Sequence, residues 1–135
     1  MALPVSVDRF FSVCFSDEAT FSLADHFASK GEKEITLSKW TENPEMGCFT
    51  RELNMIIRTK DNPFKDTSRC YKAQSYKKDE GDKILISTMT KTLDVPYGST
   101  FQVEERWEIM PEGENKEKCM LRCLAWYIWE RKKIK

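Results

Sequence analysis

The sequence has little of what most catalytic and metal sites require. Its 135 residues include five glycines and a single histidine, His26. There is no glycine-rich phosphate loop of the GxGxxG or Walker kind, and no CxxC pair that would favour a zinc site. His26 stands beside Asp25, and sequence neighbours on a helix do not share a face, so a proton relay between them is not expected. We therefore expect a protein without enzymatic activity and without a metal or other cofactor.

Charge of one sign and long apolar runs are also lacking. The chain has 22 basic and 22 acidic side chains, whereas a general nucleic-acid binder would show a basic excess. No stretch reaches the ~20 apolar residues of a membrane span, and Asp8 and Arg9 interrupt the N-terminal region where a signal peptide would be apolar. Five cysteines, an odd number, favour reduced thiols. We expect a cytosolic protein with no nucleic-acid partner.

What the sequence does have is a change of period near Gly31. Ser6 can cap a first helix, whose apolar residues follow helical spacing at Val7, Phe10, Phe11, Cys14 and Phe15. Ser16 or Asp17 is expected to cap a second helix that ends before Gly31. Beyond that glycine the period becomes two, and turn-rich breaks separate six predicted strands at residues 34–41, 48–59, 68–78, 82–93, 100–110 and 118–130.

Two helices followed by six strands predict an α+β domain that spans residues 1–135. Most gaps between the strands are short, which indicates an antiparallel meander. A long twisted sheet of this kind tends to curl. The concave face must then be filled by a helix, a ligand or both.

The strand that follows "DVPYGS" (residues 94–99) has one apolar face. Its odd-numbered residues are expected to be far less exposed than Gln102, Glu104 and Glu108; they are Phe101, Val103, Trp107 and Ile109. Glu105 falls on the same apolar face. Because a buried carboxylate is costly unless it is paired, we expect Glu105 at a sheet edge or bonded to a cation such as Lys72 or Arg51.

Two other strands leave alternatives open. The last strand is apolar on both faces, and it is either a central buried strand or one whose odd-numbered face lines a cavity; that face holds Cys119, Leu121, Cys123, Ala125, Tyr127 and Trp129. The strand at 68–78 places Cys70, Lys72, Gln74 and Tyr76 on one side. That row either faces solvent or turns inward, where Gln74 and Tyr76 could hydrogen-bond a lipid.

Several short motifs occur in a fixed order between about residue 6 and residue 130. They are "FF" with "FSD" at 10–17, "KW" at 39–40, Gly47 with Arg51, C-x-x-x-Q-x-Y at 70–76, and "DVPYG" followed by F-x-V-x-x-R-W at 94–107. This ordered set resembles the VASt domain, also called the StART-like or Aster domain, of membrane-contact-site proteins. Ser99 and Lys72 depart from the usual family pattern.

The resemblance implies a helix-grip fold of the StAR-related superfamily, in which a curved sheet wraps a C-terminal helix around a lipid cavity. It implies binding of a sterol or similar lipid and its transfer between membranes without chemistry. It further implies a larger, membrane-anchored protein with a GRAM domain, located at the endoplasmic reticulum or at contact sites. This chain is expected to lack the C-terminal helix, because it ends directly after its last predicted strand.

Candidate site residues follow from the strand faces and this resemblance. The expected lining of the lipid cavity is Phe101, Val103, Trp107, Leu121, Ala125, Tyr127, Gln74 and Tyr76. The loop residues Met46 and Tyr97 are candidates for the cavity mouth and for transient membrane contact. An alternative is a regulatory or protein-interaction module that keeps the fold without transferring lipid, and an enzyme is the least favoured hypothesis.

Overall fold

The computed structural model describes residues 1–58, 66–94 and 101–129. Within these residues the chain forms two helices, α1 (Val7–Cys14) and α2 (Leu23–Ser29). It also forms eight strands: β1 (Ala2–Leu3), β2 (Lys33–Leu37), β3 (Thr41–Asn43), β4 (Cys48–Arg58), β5 (Thr67–Asp79), β6 (Lys83–Thr92), β7 (Phe101–Glu112) and β8 (Asn115–Trp129). A 3-10 turn at Glu80–Asp82 joins β5 to β6.

All strands belong to one antiparallel sheet. Its order is β1-β8-β7-β6-β5-β4-β2, and β3 also pairs with β4. The run from β4 to β8 is the meander that the short gaps predict, since each strand pairs with its neighbour in sequence. This architecture confirms the α+β prediction in outline and is compatible with a StART-like fold. The structure does not test the expectation of a missing C-terminal helix.

The two helices begin at serine caps, but the second begins later than predicted. The backbone N–H of Arg9 donates to Ser6 Oγ at 3.1 Å, which confirms the predicted cap of α1. Ser22 caps α2 in the same way, so the expected start at Ser16 or Asp17 is wrong. Asp17 has another role, since its carboxylate accepts the N–H of Trp40 at 3.0 Å.

The prediction of six strands is wrong in number. Each predicted strand is present, but the one at 34–41 splits into β2 and β3, and β1 adds an eighth. The split follows from Trp40, whose backbone N–H and indole N–H both bond to the segment after α1 instead of to the sheet. β1 has two residues, too few for a periodicity, and it exists through its pairing with Cys119 and Met120.

Both helices pack on the same face of the sheet, which we call the inner face. Beneath α1 lies a core cluster of Val7, Phe15, Ile84, Ile86, Ile109 and Cys119. Beneath α2 lies a smaller cluster of Leu53, Met55 and Cys70, against which Phe27 packs. The odd-numbered residues of β7 lie on this face, because Trp107 pairs with Ile86 and its ring lies 5.7 Å from that of Phe15.

The expected contrast in burial along β7 is wrong except at Ile109, which is fully buried. Phe101, Val103 and Trp107 are half-buried, and so are the residues of the opposite face that were expected to be exposed, Gln102, Glu104 and Glu108. β7 lies between β6 and β8, whose side chains shield both of its faces. The phase of the strand is as predicted, but the degree of burial depends on which neighbours cover each end.

Candidate functional site

A cavity that we call the large cavity lies between the two helices and the β7–β8–β1 end of the sheet. Its volume is about 720 Å³. The sheet contributes Leu3, Trp107 and Leu121, and the N-terminal Met1 adds to that side. The helices and the segment between them contribute Phe10, Cys14, Phe15, Phe21, Ser22, Leu23, Asp25, His26 and Ser29. The walls are therefore mainly apolar, with polar groups along α2.

A hollow of about 60 Å³ adjoins this cavity and shares Phe15, Leu23 and Trp107 with it. Its other lining residues are Ile86 and four polar residues, Lys72, Gln74, Thr88 and Glu105. These four polar residues come from three neighbouring strands, β5, β6 and β7, where the register brings Gln74, Thr88 and Glu105 into one cross-strand row. We call this smaller space the polar hollow; it lies beside the mainly apolar large cavity.

The polar hollow is organised by hydrogen bonds between strands. Gln74 is 5% exposed; its side-chain oxygen accepts from Arg51 Nε at 2.7 Å, and its amide nitrogen donates to Thr88 Oγ1 at 3.1 Å. Lys72 Nζ donates to Thr90 Oγ1 at 2.8 Å and lies 5.6 Å from the centre of the Phe27 ring on α2. A protonated ammonium has three donors, so Lys72 keeps capacity for a further acceptor.

Glu105 lies on the inner face, but neither expectation for it holds. β7 is an interior strand, so Glu105 is not at an edge. Among the described residues Glu105 forms no ion pair within 4.0 Å, with Lys72, with Arg51 or with any other cation. It stands between Thr88 and Ala125 in the ladder and is half-buried. Its carboxylate therefore borders the polar hollow as an acceptor.

Arg51 is a buried cation that fixes the end of α1. Its Nη1 donates to the carbonyl oxygen of Phe15 at 3.0 Å, and the indole N–H of Trp40 donates to the same oxygen at 2.7 Å. The guanidinium carbon lies 4.2 Å from the centre of the Trp40 ring. Burial lowers the pKa of Arg51 to about 10, against the opposing effects of Asp17 and Tyr76. Its Nη2 has no hydrogen-bond partner in the described part of the chain.

The structure separates the predicted lining residues into four groups, with Trp107 in two of them. Trp107 and Leu121 line the large cavity, and Gln74 and Trp107 line the polar hollow. Tyr76 is instead in an aromatic cluster with Phe11, Trp40 and Phe49, at ring distances of 4.5–4.9 Å. The others lie on the inner face farther along β7 and β8 and line neither space: Phe101, Val103, Ala125 and Tyr127. Contact of any of these residues with a lipid stays a prediction.

Of the two predicted mouth residues, the structure describes Met46, which is not among the residues that line the large cavity. Met46 is exposed and borders a separate hollow of about 300 Å³ on the opposite face of the sheet. Tyr97 lies outside the described residues. At the large cavity itself, the exposed apolar side chains are Met1 and Phe21, with exposures of 71% and 70%.

Sequence reasoning missed what the helices and the middle of the sheet contribute. Leu23 and His26 line the large cavity because α2 crosses the inner face; a helical stripe shows which residues face a core but not which strand they cover. Thr88 was not singled out, because a threonine in a strand carries no signal of burial. In the described residues, neither helix has the length and apolarity needed to cross a membrane.

Comparison with known proteins places this chain in a family. Residues 1–135 match the profile of VASt, described as the VAD1 analog of the StAR-related lipid transfer domain. The chain is also similar to Protein VASCULAR ASSOCIATED DEATH 1, chloroplastic, from Arabidopsis thaliana, with 25% identity over 118 residues. The alignment covers 87% of this chain and 20% of that protein, so the chain spans about a fifth of its relative's length. The chain belongs to the VASt family of lipid-binding domains.

Proposed function

We propose that this chain binds a sterol, or a lipid of similar shape, with its apolar body in the large cavity and its hydroxyl at the polar hollow. The observation that carries the proposal is that Phe15, Leu23 and Trp107 line both spaces. A sterol is a rigid apolar body with one hydroxyl. A volume of about 720 Å³ lies within the ~300–1,000 Å³ that small-molecule sites usually occupy.

The free-energy balance favours such a ligand. A lipid that leaves a bilayer exposes several hundred Å² of apolar surface, at ~25 cal/mol per Å², so a carrier must offer comparable apolar burial. The hydroxyl must also find partners, because an unpaired buried hydroxyl costs ~1–3 kcal/mol. Lys72 can donate to it and Glu105 can accept from it. We propose that the ligand is held without chemical conversion.

Filling the cavity tests its use. Leu121→Trp adds volume on the inner face of β8, whereas Met120→Trp makes the same kind of change at the next residue, which points to the opposite face. We expect Leu121→Trp to weaken binding of a fluorescent sterol roughly tenfold or more, because about 1.4 kcal/mol of lost packing suffices. Met120→Trp should bind like the parent. Equal affinity in both variants would exclude this cavity as the site.

The polar hollow can be tested separately. We expect the parent to prefer a sterol over its 3-deoxy analogue, because a site that hydrogen-bonds a hydroxyl leaves its own polar groups unpaired when the hydroxyl is absent. Lys72→Met should reduce that preference while retaining affinity for the deoxy analogue. Competition binding with both ligands measures the ratio. An unchanged ratio in Lys72→Met would remove Lys72 from hydroxyl recognition and leave the cavity proposal standing.

Transfer between membranes is the further part of the proposal. We propose that the chain is part of a larger GRAM-containing, membrane-anchored protein that works on the cytosolic side of the endoplasmic reticulum, at contact sites. Support comes from the family's description as an analog of a lipid transfer domain. The loop residues Met46 and Tyr97 are still our candidates for transient membrane contact. Replacing both with aspartate should slow sterol transfer between liposomes and leave the circular dichroism spectrum unchanged; an equal rate would exclude them.

A second candidate function is a protein-interaction module with the same fold. The exposed apolar side chains of β8 favour it, among them Leu124, Trp126 and Ile128. Mass spectrometry of lipids that copurify with the domain separates the two functions. A stoichiometric sterol would support the carrier, and an empty domain that fails to take up sterol would favour the interaction module.

A further inference from the structure

Most of the buried polar side chains in the described residues belong to one hydrogen-bonded chain. Arg51, Gln74 and Thr88 are 4%, 5% and 8% exposed, and Ser68 is the other buried polar residue in the described ranges. Arg51 Nε donates to the side-chain oxygen of Gln74 at 2.7 Å, and the Gln74 amide nitrogen donates to Thr88 Oγ1 at 3.1 Å. Gln74 and Thr88 line the polar hollow, whereas Arg51 is not among its lining residues. The chain therefore connects a residue outside the hollow to two residues in its wall.

Arg51 fixes which end of the Gln74 amide is available to the polar hollow. A guanidinium has donors only, so the Gln74 atom that contacts it must be the oxygen. The amide nitrogen is then at the other end, where one of its two N–H groups bonds to Thr88. The second N–H has no acceptor among the described residues. The group that Gln74 can offer to the hollow is therefore a donor.

The same contact fixes the polarity of Thr88. An amide nitrogen does not accept hydrogen bonds, so the Thr88 hydroxyl must be the acceptor in its bond with Gln74. The hydroxyl proton is left without an acceptor in the part of the chain that the structure describes. Lys72 also has spare donors, so three donor groups border the hollow, and the Glu105 carboxylate stands beside them as an acceptor. The hollow is therefore rich in donors.

We propose that Arg51 is a positioning residue that makes the polar hollow a donor site, and that the hollow takes a ligand with a neutral oxygen acceptor, a keto oxygen as well as a hydroxyl. This inference rests on the proposed binding of a sterol-shaped lipid and deepens it. Lys72 and Glu105 carry opposite charges and both line the hollow. A neutral oxygen fits this site better than a carboxylate head group, because Glu105 would repel a second carboxylate.

The substitution Gln74→Glu tests the polarity of the hollow without removing the chain of hydrogen bonds. A carboxylate at this position still accepts from Arg51, but its second oxygen replaces the amide N–H. The Thr88 hydroxyl would then donate to that oxygen, so a single change removes two donors from the hollow. We expect the affinity for a 3-keto sterol to fall roughly tenfold or more. The affinity for the matching 3-hydroxy sterol should fall less, because a hydroxyl can donate to the new carboxylate.

Arg51→Met tests the positioning role, since Arg51 itself is outside the hollow. Without the guanidinium the Gln74 amide is free to turn its oxygen toward the ligand. The ratio of keto to hydroxy affinity should therefore fall, by a smaller factor than in Gln74→Glu. Gln102→Glu makes the matched change on the opposite face of the sheet, and it should keep the ratio of the parent. Competition binding with the two sterols measures the ratio, which a general loss of structure would not change.

A measurement on the parent chain covers the case in which a variant misfolds. The chain has two glutamines, Gln74 and Gln102, so the side-chain amide signals of protein labelled with ¹⁵N-glutamine can be assigned with Gln102→Glu. Addition of the 3-keto sterol should shift the signal of Gln74 and not that of Gln102.

Three results would overturn the proposal: a Gln74 signal that does not shift, an unchanged affinity ratio in Gln74→Glu, or an unchanged ratio in folded Arg51→Met. Each of them leaves the proposed sterol binding standing if the parent binds the 3-hydroxy sterol. A parent that binds neither sterol would overturn the proposed function and this inference together.

Discussion

The two ends of the β7–β8 ladder have similar sequences and different surroundings. At one end Ile109 and Cys119 are completely buried. At the other end Val103 is half-buried and Tyr127, directly opposite it in the ladder, is 68% exposed. All four belong to apolar rows on the inner face. The difference lies above the sheet, since α1 covers the first end and neither described helix covers the second. An apolar row in a strand therefore indicates a face, not the extent of its burial.

The covered end depends on how α1 is held. The carbonyl of Phe15, directly after α1, accepts hydrogen bonds from both Trp40 and Arg51, which lie at the β3–β4 end of the sheet. This pair of bonds ties the helix to the sheet and places the Phe15 ring against Trp107. The same contact forms one wall shared by the large cavity and the polar hollow. The stability of the covered end and the shape of the large cavity are therefore linked through one backbone oxygen.

The largest expected effect comes from truncating one side chain at each end. Ile109→Ala should lower the free energy of unfolding by ~2–5 kcal/mol, because it leaves a cavity in a packed cluster. Val103→Ala, at the open end of the same strand, should cost less than about 1 kcal/mol, since the site is partly hydrated. Urea denaturation of both variants measures the difference. Equal losses would contradict the contrast between the two ends.

A smaller effect is expected at Arg51, where hydrogen bonding and burial of charge oppose each other. Arg51→Lys keeps a cation but not the fork that reaches both Gln74 and Phe15, so it should be destabilised by ~1–3 kcal/mol. Arg51→Met loses the same bonds but removes the buried charge, and it should be the more stable of the two. Chemical denaturation ranks them. A more stable lysine variant would mean that the charge itself stabilises the fold.

The pH dependence of Arg51 has a definite sign. Burial of the charge holds the folded-state pKa of Arg51 at about 10, below the ordinary value of an arginine. Between the folded-state pKa and the higher pKa of the unfolded chain, the unfolded chain binds more protons than the folded chain. The unfolding free energy therefore increases as the pH rises above about 10. The difference in unfolding free energy between the parent and Arg51→Met should therefore be constant at neutral pH and shift in favour of the parent above about pH 10. Taking the difference cancels the titration of the other residues.

The smallest expected effect concerns two thiols on the same face of β8. Burial raises the pKa of both Cys119 and Cys123, and the nearby Glu105 raises that of Cys123 further. Cys123 is exposed and Cys119 is not, so a thiol reagent should label Cys123 first, and its rate should increase with pH. Glu105→Gln should increase that rate modestly at fixed pH. Peptide mapping identifies the labelled site; faster labelling of Cys119 would show that the covered end opens.

Much of the fold could be predicted from the sequence because it depends on local patterns. The cap at Ser6 and the helical stripe that follows it predict α1 and its start at Val7, and the alternation after Gly31 predicts every long strand. The late start of α2 was missed because Asp17 and Ser22 are equally good caps by residue type. In the structure the Asp17 carboxylate instead accepts the backbone N–H of Trp40, and Ser22 caps the helix. β1 was missed because two residues carry no period. Each failure concerns a residue whose partner is distant in sequence.

The candidate site was less predictable than the fold. The row of Lys72, Gln74 and Tyr76 could be read from the sequence as sharing one side of a strand. The surroundings of this row could not be predicted from the sequence. Tyr76 packs in an aromatic cluster, whereas Gln74 and Lys72 border the polar hollow. Glu105 illustrates the same limit, since its face was predicted correctly and its neighbours were not. Side chains from three strands meet there only because of the register between those strands.

The sequence alone determined which residues form helices and strands, which faces are apolar, and the family to which the chain belongs. These properties depend on the backbone period and on short-range caps and turns. The tertiary structure decided which part of each face is covered and where polar groups border the cavity. Those properties depend on contacts such as that between Arg51 and Phe15, whose partners lie 36 residues apart. Their free energy is gained only after the sheet has brought the partners together.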